Sequence, residues 1–164
     1  GIQWKLTHCE MASILETAPI HKNQNLLAKD VLAGKLVLFY FSAYWCPPCR
    51  RFSKILKKFY NECRLIRPDV EVVFVSSDRS EHEMREYLSI QAEWYYLPFG
   101  HSSIPDLSRR FEVGGIPCVV VVSPSGNVIS TKGRHEIENR SSTVKLVNEW
   151  MGYESGESSI VTSL

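Results

Sequence analysis

The stretch from Leu36 to Val75 constrains the fold more than any other part of the chain. Leu36-Val37-Leu38-Phe39-Tyr40-Phe41 is apolar at every position, which suits a strand covered on both faces better than one half open to water. Cys46-Pro47-Pro48-Cys49 follows at once. Phe52, Ile55, Leu56, Phe59 and Cys63 then recur at helical spacing, while Arg50, Arg51, Lys54, Lys57 and Lys58 fill the remaining positions. This predicts an amphipathic helix of about four turns. Val70-Glu71-Val72-Val73-Phe74-Val75 reads as a second strand, and strand, helix, strand in that order implies a right-handed parallel crossover. The cysteine motif is thereby expected at the carboxyl end of a central strand.

Beyond this unit the chain continues to alternate. Ser80 and Glu83 form a capping box that opens a helix carrying Met84, Tyr87 and Leu88. Residues 94–99 read as irregular or briefly extended, and 103–113 as a short helix with Leu107 and Phe111 inward. Cys118 to Val122 is a third strand, Pro124 to Asn127 a turn, and Val128 to Thr131 a fourth strand that returns antiparallel at the sheet edge. A closing helix follows, with Val144, Val147, Trp150 and Met151 as its apolar stripe. Residues 1–29 are set apart as an N-terminal extension of undefined structure, although Leu32-Ala33-Gly34-Lys35 looks like a turn of helix stopped by glycine. Residues 30–152 form one α/β domain, and the serine-rich residues 153–164 a mobile tail.

Nineteen Lys and Arg against eighteen Asp and Glu leave a formal charge of +1, so nothing in the overall field favours nucleic acid or an acidic membrane as partner. The sequence has no long apolar run, and its opening residues lack the basic-then-apolar layout of a secretory signal, which points to a soluble, unanchored protein. Five cysteines are an odd and unevenly spaced set. Such a count favours a reducing compartment, the cytoplasm or the nucleus.

A Cys-x-x-Cys that ends a strand and opens a helix puts its first sulfur at the N-cap, where unpaired amides and the helix dipole favour a thiolate. Cys46 is then the nucleophile. Pro47 suits the first helical position. Because Pro48 follows it, the N–H of Cys49 is the nearest backbone donor left for the Cys46 sulfur. Cys49, one turn inward, is placed to attack a mixed disulfide at Cys46 and release the substrate. The competing reading is half of a zinc site, which needs a second pair or histidines at ligand spacing. Cys63 and Cys118 are isolated and the five histidines scattered, so no metal is expected.

Tyr40-Phe41-Ser42-Ala43-Tyr44-Trp45-Cys46-Pro47-Pro48-Cys49-Arg50 resembles the active-site segment of tryparedoxins and nucleoredoxins, in the thioredoxin superfamily. Residues 71–78, 94–99 and 110–117 agree in order and spacing, so the resemblance covers about residues 30–150. It implies a thioredoxin-like α/β fold with a central mixed sheet flanked by helices on both faces. It also implies a dithiol–disulfide oxidoreductase, without bound cofactor, that reduces protein disulfides and is recharged by an external thiol or reductase. The protein is expected to be a monomer. An alternative is a redox-regulated binding module of nucleoredoxin type with little turnover.

By the same resemblance, Ile116-Pro117 is a cis-proline loop lying against the cysteine pair, with Gly114-Gly115 freeing the backbone before it; the competing reading is a trans proline at a strand start. Trp45, Pro47 and Pro48 face the substrate beside this loop. Arg134 corresponds to a basic position where a charged substrate group is held, or else is a solvated arginine. Three departures stand out. Ser77 replaces a second tryptophan of tryparedoxins, Tyr40 occupies the position where thioredoxins proper carry a buried carboxylate, and Cys118 follows the proline where threonine is common. Cys118 is either a third thiol near the pair or a buried inert cysteine. Cys63 is assigned to the core and Cys9 to the surface. The final Thr162-Ser163-Leu164 could enter a carboxylate-capturing groove, and the Asn139-Arg140-Ser141 sequon is expected to stay unmodified.

Overall fold

The computed structural model describes residues 19–21, 25–27 and 31–155. Among these residues seven strands, β1 (Pro19–His21), β2 (Asn25–Leu27), β3 (Leu36–Ser42), β4 (Val70–Ser76), β5 (Tyr95–Tyr96), β6 (Cys118–Val122) and β7 (Val128–Ser130), form one mixed sheet. Their order is β2-β1-β5-β4-β3-β6-β7. Among the described residues, five helices accompany them: α1 (Pro47–Ile66), α2 (Glu81–Leu88), α3 (Ser103–Arg110), α4 (Gly133–Glu138) and α5 (Thr143–Ser155).

β3 is the hub. It runs parallel to β4, with Tyr40 opposite Phe74, and antiparallel to β6, with Phe41 opposite Cys118. All seven of its residues are buried. Leu36, Leu38 and Tyr40 face a core closed by α1, α2, α4 and α5, whereas Val37, Phe39 and Phe41 face a second core closed by Leu107 of α3 and by Phe111. Helices on both faces explain why the strand carries no polar alternation.

Several elements differ in detail from the expectation. On α1, Ile55 is 37% exposed, while Ser53 and Tyr60 are buried in its stead. In α5, Val144 is 48% exposed and the inward face is Leu146, Val147 and Trp150, because Leu146 and Trp150 centre the buried face on the side of Val147 away from Val144. Met151 is only partly buried, and the helix continues to Ser155. α3 stops at Arg110, since Glu112 takes a left-handed conformation with φ 51°. α4 carries no strong periodic signal and is read only from the structure. The β1–β2 hairpin joins the sheet through His21 opposite Tyr96. Cys9 and Thr162-Ser163-Leu164 lie outside the described residues.

Candidate active site

β3 ends at Ser42 and α1 begins at Pro47, so the turn between them projects Cys46 at the carboxyl edge of the sheet. Cys46 is the N-cap of α1, and its sulfur accepts a hydrogen bond from the Cys49 N–H at 3.3 Å. Prolines occupy the first two helical positions, as the sequence implied. The first turn has no acidic residue to repel a thiolate. Cys46 is 6% exposed, whereas Cys49 is fully buried. Burial, followed by the hydrogen bond with Cys46, raises the Cys49 thiol above its ordinary value. Cys46 therefore keeps a small opening to solvent at the helix mouth, and Cys49 stays a protected thiol behind it.

The Ile116-Pro117 bond is cis, and Ile116 packs on Ala43, Cys46 and Cys49. Gly114 and Gly115 contribute differently from the expectation. Neither adopts a left-handed conformation, and a Cβ on either would meet nothing within 4 Å. The left-handed residue of this loop is Glu112. Beside the loop lies a groove of about 850 Å³, lined in part by Phe111, Gly115, Pro117, Cys118, Lys132 and Arg134. Arg134 thus shares a groove with the cis-proline, and it also pairs with Glu138 at 2.8 Å. Gly133 is required for the close approach of α4 to β6, because a Cβ there would lie 2.8 Å from the Val119 carbonyl oxygen.

Trp45 is 41% exposed. Its indole N–H donates to the Ser77 carbonyl at 3.0 Å, and the Arg79 guanidinium stacks 4.8 Å from the ring centre. Underneath, the Asp78 carboxylate accepts from the Tyr44 N–H and from the Ser76 hydroxyl, each at 2.7 Å. Burial raises the pKa of Asp78.

Behind the pair is a cluster that sequence reasoning did not assemble. The Tyr40 hydroxyl donates to the Cys49 carbonyl at 3.2 Å and lies 2.6 Å from Ser53 Oγ. Ser42 Oγ lies 2.9 Å from the Tyr40 oxygen and 2.7 Å from that of Tyr87. Ser53 Oγ lies 2.6 Å from Tyr87. Two signals hinted at this cluster: a serine inside an otherwise apolar buried strand, and a tyrosine six residues before the first cysteine.

The remaining cysteines stand apart from the pair. Cys63 is fully buried in α1, and burial raises its thiol. Cys118 packs with the Phe41 and Phe111 side of the core rather than with Cys46 and Cys49. Burial pushes its thiol up as well, which opposes the ionisation a third reactive thiol needs. Among the described residues there is no group of three or more His, Cys, Asp or Glu able to hold a metal ion, and no helix long and apolar enough to cross a membrane.

Comparison with known proteins gives a consistent set of matches. The Thioredoxin-like family model matches residues 34–128. Probable nucleoredoxin 3 of Oryza sativa subsp. japonica is 38% identical over 124 residues, covering 75% of this chain and 26% of that protein. Tryparedoxin of Trypanosoma brucei brucei is 36% identical over 121 residues, covering 69% of this chain and 83% of that protein. The crystal structure of thioredoxin from Wuchereria bancrofti superposes with a TM-score of 0.71 at 37% identity, covering 84% of this chain and 96% of that one. The chain spans about a quarter of the length of the rice and mouse nucleoredoxins it matches.

Proposed function

The chain belongs to the thioredoxin-like family, whose chemistry is dithiol–disulfide exchange, and from that premise we propose that it reduces disulfides of protein substrates through Cys46 and Cys49. The observation that carries this reading is the arrangement of the sulfurs, one at the helix mouth bonded to the Cys49 N–H and the other sealed a turn behind.

The Cys46 thiolate attacks a substrate disulfide, forming a mixed disulfide and expelling the first substrate thiolate. Cys49 loses its proton and attacks Cys46, so that an internal disulfide forms and the second substrate sulfur leaves as a thiol. An external thiol or reductase then reduces the internal disulfide, and no bound cofactor takes part. Trp45, Pro47 and Pro48 form one wall of the docking surface and the Ile116-Pro117 backbone the other. Arg134, in the adjoining groove, receives a charged group of the substrate. We assign this chemistry to a domain of residues 30–152, acting as a monomer in the cytoplasm or nucleus.

Reduction of insulin disulfides with dithiothreitol as electron donor tests the assignment. The parent protein is expected to accelerate precipitation of the insulin chains and Cys46→Ser to abolish the acceleration; equal activity of the two would refute it. The nucleoredoxin matches favour a second reading, a binding module switched by the redox state of the pair. Cys49→Ser separates the two readings. Many trapped mixed disulfides mark the reductase, and a single non-covalent partner sensitive to the redox state marks the module.

A further inference from the structure

One buried donor of the described residues is left unmet. Gln91, just beyond α2, is 6% exposed, and its Oε1 accepts the indole N–H of Trp94 at 2.8 Å. An indole only donates, so this bond settles which end of the amide faces Trp94 and turns Nε2 away from it. Nε2 is buried and has no hydrogen-bond partner. Such a group is costly to leave unpaired, and an acceptor is the usual remedy.

Gln91 lines a groove of about 520 Å³, within the size range of small-molecule sites. Lys57, Tyr60, Asn61 and Arg64 form one wall, since their spacing places them on one face of α1. Gln91, Ala92 and Glu93 form the other. Counting the helical rise from Cys46, the N-cap of α1, the first wall lies about 16–27 Å along the axis. The groove is therefore separate from the cysteine site.

Its inner surface is rich in donors. Tyr60 is 5% exposed; its oxygen accepts from Arg64 Nε at 2.9 Å, and its own proton has no acceptor among the described residues. Burial raises this phenol, which keeps it a neutral donor. The Arg64 charge is answered by Glu71, both of whose oxygens lie 2.9 Å from one guanidinium nitrogen. Lys57 and Glu93, exposed on opposite walls, take part in no ion pair among the described residues.

We infer that this groove binds a monocarboxylate, whose oxygens accept from Gln91 Nε2 and the Tyr60 hydroxyl, whose charge is balanced by Lys57, and whose carbon chain lies on half-buried Ala92. A carboxylate only accepts, and it offers two oxygens to two neutral donors and a cation. Glu93 on the far wall selects against a second negative charge, and hence against phosphate. The site stands independently of the dithiol reading.

Nitrogen-15 spectra of the reduced full chain test this, with sodium acetate as the probe and sodium chloride at equal ionic strength as the control. The Trp94 indole, bonded to the other end of the same amide, is the reporter, and the Trp150 indole is the reference. Acetate is expected to move the Trp94 signal saturably, with a midpoint at about 10 mM, and to leave Trp150 in place. Gln91→Glu keeps an oxygen for Trp94 but exchanges the donor for a second carboxylate oxygen. At mildly alkaline pH it should raise the midpoint about tenfold or more. Lys57→Gln, an exposed change, should raise it about threefold. N-acetylalanine separates two sources of the carboxylate. Tighter binding than acetate supports the site as one for a peptide C-terminus, and weaker binding supports it as one for a small free acid. A Trp94 signal that ignores acetate, follows chloride equally, or keeps its midpoint in Gln91→Glu overturns the proposal, as does inorganic phosphate binding more tightly than acetate. Should Gln91→Glu fail to fold, an unchanged midpoint in Lys57→Gln overturns it instead.

Discussion

On the solvent side of the cysteine pair, Trp45 stands 41% exposed, held by a main-chain carbonyl and a stacked guanidinium; behind Cys49, Tyr40, Ser42, Ser53 and Tyr87 are buried and bonded to one another through their side chains. The outer contacts are few and bathed in water, so each is weak and can yield to an incoming partner. The inner contacts have no water to fall back on, so losing one leaves a buried polar atom unmet. Under the proposed function, recognition and reactivity fall on opposite sides of one pair of sulfurs, and changes on either side need not disturb the other.

Tyr40→Phe breaks the inner side most severely, because it strips a fully buried hydroxyl that serves the Cys49 carbonyl, Ser42 and Ser53. A loss of about 1–3 kcal/mol of stability is expected from urea unfolding; an unchanged midpoint would show that the cluster is not structurally coupled. A gentler probe is pH. Cys49 and Cys63 both have folded-state pKa values raised from 9.0. Their contribution to stability is therefore fully present below pH 9 and lost as the pH rises further, since the unfolded thiols release protons first. Denaturant midpoints of the reduced protein should fall above about pH 9, by at most about 1.4 kcal/mol per pH unit for each thiol. Oxidation of the Cys46–Cys49 pair should remove the Cys49 share, and equal slopes for the two redox forms would contradict it. The smallest effect belongs outside. Arg79→Gln removes only the stack on Trp45, worth about 0.5–1 kcal/mol. It should raise KM for a protein disulfide a few-fold, with kcat and melting temperature unmoved; a shift in melting temperature would mean that the rim is part of the folding core.

The same contrast explains what the sequence disclosed. The central strand, the helix behind the motif and the N-cap sulfur are local patterns, and each stands where the residues between 36 and 63 implied. The hydroxyl cluster joins residues up to 47 positions apart, and neither Ser53 nor Tyr87 differs in sequence from an ordinary helix residue. Val144 and Ile55 were misplaced for a related reason. A hydrophobic residue at roughly helical spacing is assigned to the core by pattern, but the facing surface decides which side of the stripe is covered. Arg134 was legible as a cation, whereas its position beside the cis-proline depends on α4 and on the close packing of Gly133 against Val119.

The anchor of Trp45 is the carbonyl oxygen of residue 77, not its side chain. Every amino acid offers that oxygen, so the serine there can be exchanged for something larger, charged or aromatic without loosening the indole. Position 77 is thereby an adjustable dial next to a fixed pointer, and under the docking role proposed for Trp45 new partners can be gained or refused there while the proposed exchange chemistry beneath is left alone.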